Sequence, residues 1–590
     1  MTADIKPVKP NATPNAFANR LIVICTMLIS RITALIIGFA LFGIMFLSSA
    51  MSYACKVDFL LPNWLMLLFA LVVLFIVVQF ATGKVGAKIS RAIALHQLSI
   101  DLSIAVACVG LLFLQLSICH RYAFVTDWDS GTITNDALTI VNGGDFSNVG
   151  YYSTYPNNLF LLWVAVQCGH IAQLLGITGL EGIVLVFSAL NCIACTLSIW
   201  FLYRTISLLY SRAWGIAAWV IGVLIIWTSP WAGIMYSDAV VVCIPIMLSY
   251  LFIRSRKSSE HKCVVWLFLL GFLGILGYKI KPQVVFVLFA VAMLLVVEFA
   301  FGTLEALRDR NANLCTEPAS RLIAIIAGCV AAFLLIGVIT EPWSSLLNQD
   351  SQFGIPHFLM MGLNPEFRGV FAQPDVDFSA SFPDVSSRTA GNIQVILERV
   401  SDYGPFGLLS LFGDKLMTNF NDGTFAWGVE GRFFISPQTE PVGGLTGFIH
   451  SIYYRGGAYY DLWRTYAQFI WIAVLVCCFV GLLAGTKHHA KRNDRIQRNL
   501  SSDFTLVVSL ALLMLIVFEL LFEARARYLY SSVTLFIVMA VIGIRWLAQC
   551  ARAMKAQKAH GEKPHFRKTG TMHRPESPSA KRLIKAWSHS

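Results

Sequence analysis

Two aspartates, Asp127 and Asp129, flank a tryptophan in the run Val125-Thr126-Asp127-Trp128-Asp129-Ser130-Gly131, directly after a long apolar stretch. A carboxylate beside a membrane is costly to place unless it is solvated or used. There it can take a proton from a hydroxyl as a general base, and it can equally cap the N-terminus of a following helix. Asp238 follows Tyr236-Ser237 at the start of another apolar stretch. It can orient a substrate, hold a divalent metal or remain a solvated interfacial acid. Cations suited to a phosphate come in pairs, Lys279 with Lys281 and Arg525 with Arg527, the second pair beside Glu523. Arginine makes bidentate phosphate contacts and lysine acts as a point charge, but both also snorkel at helix ends. His357, in Pro356-His357-Phe358, can assist with a phosphate or a metal or serve only in packing. No HxxxH or paired CxxC spacing occurs, so no tight metal centre is indicated; a divalent ion is the one cofactor the carboxylates would admit.

The elements that must hold these groups are membrane helices. Of 590 residues, 57% are apolar and only 13% charged, and the mean hydropathy is +0.67. Water-soluble domains carry roughly 25% charge, so this composition excludes an ordinary soluble enzyme, a disordered chain and a disulfide scaffold. Apolar runs long enough to cross a bilayer fall at 32–50, 60–80, 98–119, 181–203, 214–233, 239–253, 263–278, 283–301, 322–340, 466–484, 503–522 and 531–548. Twelve spans put the basic clusters on one side, with both termini cytoplasmic under the positive-inside rule: Lys6 to Arg31, Lys84 to Arg91, Arg204 with Arg212, Arg254 to Lys262, Lys487 to Arg498. A further apolar run, 158–176, would invert every later cluster if it crossed, so it is expected to lie in the outer leaflet. Cys192 and Cys195 form a CxxC on an apolar helix, where thiols are ordinary core filler.

This parity divides the chain into a cytoplasmic segment with two helices (1–97), a membrane core (98–340) with an external loop at 120–157, a large external loop (341–465), C-terminal spans (466–550) and a basic tail (551–590). The tail carries ten Lys and Arg against two acids and suits a phospholipid surface; nucleic acid is not an expected partner. In the first loop Ile133, Ala137 and Val141 recur at i, i+4 and i+8, which predicts a short helix with an apolar face resting on the bilayer, ended by Gly143-Gly144-Asp145.

The order Asp129, Ala137, Gly144-Asp145, Pro156 resembles the first extracytoplasmic loop of the GT-C membrane glycosyltransferases, nearest the branch of protein O-mannosyltransferases and lipid A aminoarabinose transferases. Tyr236-Ser237-Asp238 is similar to that branch's later Asp, and Lys279 to Gln283 to its Lys-Pro element. Residues 356–362, 422–431 and 523–528 are looser likenesses. The resemblance covers roughly residues 100–300, and the chain departs from it in two extra leading spans and in the second carboxylate, Asp127. It implies an all-α polytopic membrane protein, a GT-C-like bundle of about 12 transmembrane helices whose extracytoplasmic loops carry the active site. The implied activity is inverting transfer of a sugar from a polyprenyl-phosphate donor to a cell-envelope glycan, lipid or protein at the cell membrane, among membrane lipids. In that reading Asp129 is the base with Asp127 behind it, and Asp238 and Asp145 orient the acceptor or a metal. Lys279, Lys281, Arg525, Arg527 and His357 meet the donor phosphate. Tyr152, Tyr155, Asn157, Asp422, Trp427 and Glu430 line the substrate, Trp427 by stacking on a sugar, although an interfacial aromatic belt also explains a tryptophan. The alternative is a polytopic transporter or lipid flippase of the cell envelope, which would show polar groups at the bilayer midplane.

Overall fold

The computed structural model describes residues 16–47, 57–121, 128–311, 313–434, 442–484 and 500–559. Asp127, Lys6, Lys9, the cluster from Lys487 to Arg498 and the tail beyond 559 lie outside these residues. The regular elements described are all helices. Eleven are long and apolar enough to cross a membrane: Ala18–Phe46, Asn63–Thr82, Gln97–Cys119, Gly179–Leu209, Ser237–Lys257, Glu260–Ile280, Pro282–Arg308, Cys315–Ser344, Tyr460–Ala484, Leu500–Leu521 and Val533–Gln557. Their outer faces would be untenable in water. Leu35, Phe75, Leu98 and Val338 are 72%, 62%, 81% and 74% exposed, a surface that only acyl chains solvate well.

Lipid tails are as apolar as leucine, so helix association must come from close packing and polar contacts rather than from burial alone. Two helix pairs show this. A Cβ added at Gly328 would lie 2.0 Å from the Phe268 carbonyl oxygen, and one at Gly271 would lie 2.2 Å from that of Ile325. Gly481 and Gly543 meet in the same way between Tyr460–Ala484 and Val533–Gln557. The latter helix is among the most buried spans, with Phe536 edge-on to Trp471 and Phe420.

Three expectations change. The first span begins upstream of 32, in a helix running Ala16–Phe46, although Arg31 reads as a boundary. Its hydroxyls are satisfied within the bundle: Thr26 and Thr33 donate to the carbonyls four residues earlier and Ser30 to Ser509. The expected span 214–233 is a shorter apolar helix, Arg212–Trp227, because Ser229-Pro230 turns the chain into a 3-10 turn. Helix Leu159–Leu174 has 16 residues; its first half packs in protein, with Leu161, Leu162 and Ala165 buried, while Ile171 and Leu174 at its far end are exposed. The helix Trp128–Val141 ends at Gly143 as expected, with φ +82, but its apolar face does not rest on the bilayer. Ile133 and Ala137 are fully buried against Leu162, Ile183, Phe187 and Met235. Cys192 and Cys195 are fully buried and unbridged, as core filler would be.

Helix Gly179–Leu209 has 31 residues, about 46 Å, and sets the scale across the bundle. At its far end Arg204 and Arg212 hold Asp101 at 3.0 and 2.8 Å. At its near end it packs on the Trp128–Val141 loop helix. Segment 341–465 is mostly helical (Ile355–Gly362, Gln373–Ala380, Val385–Phe420, Trp427–Phe434, Gly444–Tyr453) and meets the first loop, where Asn348 N–H donates to Ser153 Oγ and Phe353 N–H to the Thr154 carbonyl.

Candidate active site

Asp129 lies in the first turn of Trp128–Val141. Its neighbour Ser130 donates to the Met235 carbonyl, which clamps this helix start to the strand-like approach to Asp238. That approach is fixed in turn by the long helix, whose Ser188 and Asn191 donate to the carbonyls of Gly233, Ala232 and Ile234. The Asp129 carboxylate therefore meets two phenols. Tyr151 donates to Oδ1 at 2.7 Å and Tyr236 to Oδ2 at 3.0 Å. Asn158 Nδ2 donates to the Tyr151 oxygen at 2.7 Å and holds that ring in place. Burial, then the charge of Asp129, pushes both phenols far above the ordinary tyrosine range, so they remain donors.

Tyr236 joins Asp129 to Asp238. The Tyr236 ring centroid lies 4.8 Å from the Arg527 guanidinium and 5.9 Å from Lys281 Nζ. Those two cations ion-pair with Asp238, Lys281 at 2.8 Å and Arg527 at 3.4 Å. Arg527 also meets Glu430 at 3.0 Å, Arg525 meets Glu430 at 2.6 Å and Glu523 at 2.9 Å, and Tyr528 donates to Glu523 at 2.8 Å. Burial opposes ionisation of Glu523, but Arg525, Tyr528 and Arg527 outweigh it and hold its carboxyl below the usual range. Asp238, Glu430, Lys281 and Arg527 are all at most 6% exposed. Removing one partner from such a buried network leaves an unpaired charge at a cost of about 3–5 kcal/mol.

Pro282 explains why the two lysines part. The residue before a proline is driven out of helical conformation, and Lys281 sits at φ −145, ψ 109. It swings into the ion network, while Lys279 stays on the helix with Nζ 5.3 Å from the Phe333 ring centroid. Lys279 and Asn157 line a cavity of about 430 Å³ beside the network, together with Ser153 and Asn348. Asp129 and Asp238 are not among its lining residues.

Other expected site residues take different places. Asp145 is exposed; the buried acid of the loop helix is Asp136, which accepts from Tyr152 at 3.0 Å and Asn148 at 2.9 Å. Tyr152 is thus fully buried as a support for that helix. Tyr155 is partly exposed and edge-on to Phe353, its phenol pushed up to about 12 by burial and by Asp129 and Glu523. Asp422 is buried and accepts from Thr424 N, Thr424 Oγ1 and Ala426 N at 2.8, 2.6 and 2.8 Å. It holds the turn in which Phe425 and Ala426 take φ 52 and 68, and so aims the helix carrying Glu430. Trp427 is 1% exposed and donates to the Tyr453 carbonyl at 2.9 Å, so its face is not open to a sugar. Glu430 is a partner of both arginines. His357 is 1% exposed and bonds Ser379 Oγ through Nδ1 at 2.7 Å. Burial depresses it to about 4, which leaves it neutral near pH 7 and unsuited to hold a phosphate as a cation.

Two groups escaped the sequence reading. Glu519 lies inside an apolar run, yet it is 1% exposed and both its oxygens lack a hydrogen bond. Lys415 is fully buried and donates to the carbonyls of Gly362 and Phe522 at 2.8 and 2.5 Å. Burial pushes its ammonium down to about 7. Gly369, at φ +76, makes room for it: a Cβ there would lie 2.9 Å from the lysine stem. For Glu519 the available signal was a charge within an otherwise apolar membrane stretch; Lys415, beside Asp414 in the large loop, carried no such signal.

The family described as "Conserved hypothetical integral membrane protein" matches residues 18–546. Among solved structures, the chain is similar to the apo oligosaccharyltransferase of Archaeoglobus fulgidus, at 11% identity over 84% of this chain and 54% of that one, with a TM-score of 0.35. The chain thus spans about half of that protein's length. It is also similar to ArnT from Cupriavidus metallidurans bound to undecaprenyl phosphate, at 12% identity over 79% of this chain and 81% of that one, with a TM-score of 0.30. No curated protein matches. With the match running from the first membrane helix into the last, the chain belongs to this family of conserved integral membrane proteins.

Proposed function

We propose that the protein is a membrane glycosyltransferase of GT-C type that moves a sugar from a polyprenyl-phosphate donor to an acceptor outside the cytoplasm. The observation that carries this reading is the convergence of Asp129 and Asp238 through Tyr236, at one end of the bundle, from stretches over 100 residues apart. The sequence resemblance to that class rests on these same positions. In the reaction, Asp129 takes the proton of an acceptor hydroxyl. The hydroxyl oxygen bonds to the anomeric carbon as the carbon–oxygen bond to the lipid phosphate breaks, and the phosphate leaves with the electron pair. A single displacement of this kind inverts the anomeric centre. Nearby cations stabilise the departing charge. Each oxygen of Asp238 faces a cation, an arrangement that repels a divalent ion, so no step is routed through a metal.

The two ion clusters at the bundle's ends also favour transfer over transport, while Arg31 and Arg545 stand as single charges within Ala18–Phe46 and Val533–Gln557. The Asp101 cluster and the Asp238 cluster stand at opposite ends of a helix about 46 Å long. Several polar side chains buried between them are satisfied locally, as where Ser198 and Ser249 donate to their own helix carbonyls. Lipid and glycan profiling of a deletion strain tests the proposal. A sugar-bearing envelope component should vanish, return with the wild-type chain and stay absent with Asp129→Asn at equal membrane abundance. Return with Asp129→Asn would remove Asp129 as the base.

A further inference from the structure

The end of the bundle opposite Asp129 carries charge that the proposed reaction does not use. Gly83 and His96 interrupt the chain between the spans Asn63–Thr82 and Gln97–Cys119. Between them runs a separate helix, Lys84–Leu95, of 12 residues or about 18 Å. It stands at the Asp101 end, where Arg212 Nη1 donates to Gln97 Oε1 at 2.6 Å. The chain leaves one span and enters the next here, so the connecting helix is held at the bilayer boundary. Gly86 lets it fold back tightly, since a Cβ there would lie 2.2 Å from the Phe80 carbonyl oxygen. Val85, Ile89 and Ala92 recur at i, i+4 and i+7 as an apolar stripe, with Val85 61% and Ile89 44% exposed. Lys84, Lys88 and Arg91 recur at the same spacing one residue earlier, an exposed cationic stripe about 100° around the helix.

No acid lies near this stripe in the chain: neither Asp nor Glu occurs from residue 59 to 100, and Asp101 already holds Arg204 and Arg212. The last span brings two more exposed cations to the same corner. Arg552 Nη2 donates to the Ala81 carbonyl at 2.6 Å, and Lys555 Nζ donates to Gln79 Oε1 and Thr82 Oγ1, both at 2.9 Å. Among the described residues no carboxylate pairs with any of these five cations. We infer that helix Lys84–Leu95 is an interfacial anchor for anionic phospholipid. Its apolar stripe lies among acyl chains, and Lys84, Lys88 and Arg91 reach the headgroup phosphates beside it, their stems along the hydrocarbon edge. Arg552 and Lys555 extend the same positive surface across the end of Asn63–Thr82. A phospholipid surface is the expectation for the tail 551–590; the anchor adds a folded helix far from that tail in the chain, and it stands whether or not the protein transfers a sugar.

Hydrogen exchange of the full chain in nanodiscs tests this without reference to activity. The discs hold phosphatidylcholine with a rising share of phosphatidylglycerol, and exchange of the backbone amides of residues 84–95 is read by mass spectrometry. Their exchange should slow as phosphatidylglycerol is added, while exchange in the span Gly179–Leu209 stays constant. The apparent affinity for phosphatidylglycerol should fall about fivefold for each cation removed, in Lys88→Gln and further in the triple Lys84→Gln, Lys88→Gln, Arg91→Gln. High salt should shrink the wild-type response, because the contacts are at an exposed surface. Val85→Ser with Ile89→Ser keeps every charge and should speed exchange in both lipids. Constant exchange in Gly179–Leu209 shows that each variant is folded. Equal exchange of 84–95 with and without phosphatidylglycerol would show that the cations serve some other partner and would overturn the inference. So would a triple variant that keeps the wild-type response. Neither result bears on Asp129.

Discussion

At the scale of single residues, the Asp129 carboxylate is defined by its donors. Two phenols fix its plane, and the Tyr236 phenol also leans on the Arg527 and Lys281 cations that hold Asp238. Tyr236→Phe removes one hydrogen bond to a charged group and frees the carboxylate to rotate. The turnover rate should fall about tenfold to a hundredfold with donor KM nearly unchanged; steady-state kinetics with varied donor checks it, and an unchanged kcat would contradict it. His357 supports a pH prediction. Its folded value is depressed from 6.5 to about 4, so the unfolded chain binds the extra proton first as pH falls. Stability from neutral His357 is present above pH 6.5 and is lost between pH 6.5 and 4, amounting to roughly 3 kcal/mol at most. The melting temperature should drop over that window in the wild type and less in His357→Asn, which keeps a donor for Ser379. Residue types at this scale were legible, because acids and bases stand out in an apolar chain. Their pairing was not: nothing in the spacing of Asp422, Trp427 or His357 says that each is buried and already satisfied.

At the scale of elements, local grammar carried far. The glycines at 143 and 144 ended the loop helix where expected, and Pro282 separated Lys279 from Lys281. Expectation failed where tertiary contact decided the outcome. The face Ile133, Ala137 reads the same whether lipid or protein covers it, and only the fold brings Phe187 and Met235 to it. Arg31 reads as a helix boundary until Ser509 supplies partners for the hydroxyls beside it. The glycine contacts make a sharper prediction. Gly328→Val would drive a side chain into the Phe268 carbonyl across the contact between Glu260–Ile280 and Cys315–Ser344, a strain of at least ~2 kcal/mol. The melting temperature in detergent should fall by several degrees, whereas Gly337→Val, with nothing within 4 Å, should leave it nearly unchanged.

At the scale of the whole molecule, membrane character was fixed by composition alone, since no arrangement of 57% apolar residues over such a length is soluble. The number of spans nearly followed from run lengths, and the difference is the single helix Arg212–Trp227, too short to be among the eleven. What composition could not reveal is that carboxylates from the first loop, a membrane-helix start and the large loop converge at one end of the bundle, because convergence is a property of packing. The claim built on that convergence is chemical and is tested most directly with purified protein. The full chain, reconstituted into vesicles with a panel of polyprenyl-phosphate sugars and envelope acceptors, should release polyprenyl phosphate stoichiometrically with glycosylated acceptor. Asp129→Asn, with an unchanged melting temperature, should release none. Transfer by Asp129→Asn at the wild-type rate would contradict the account.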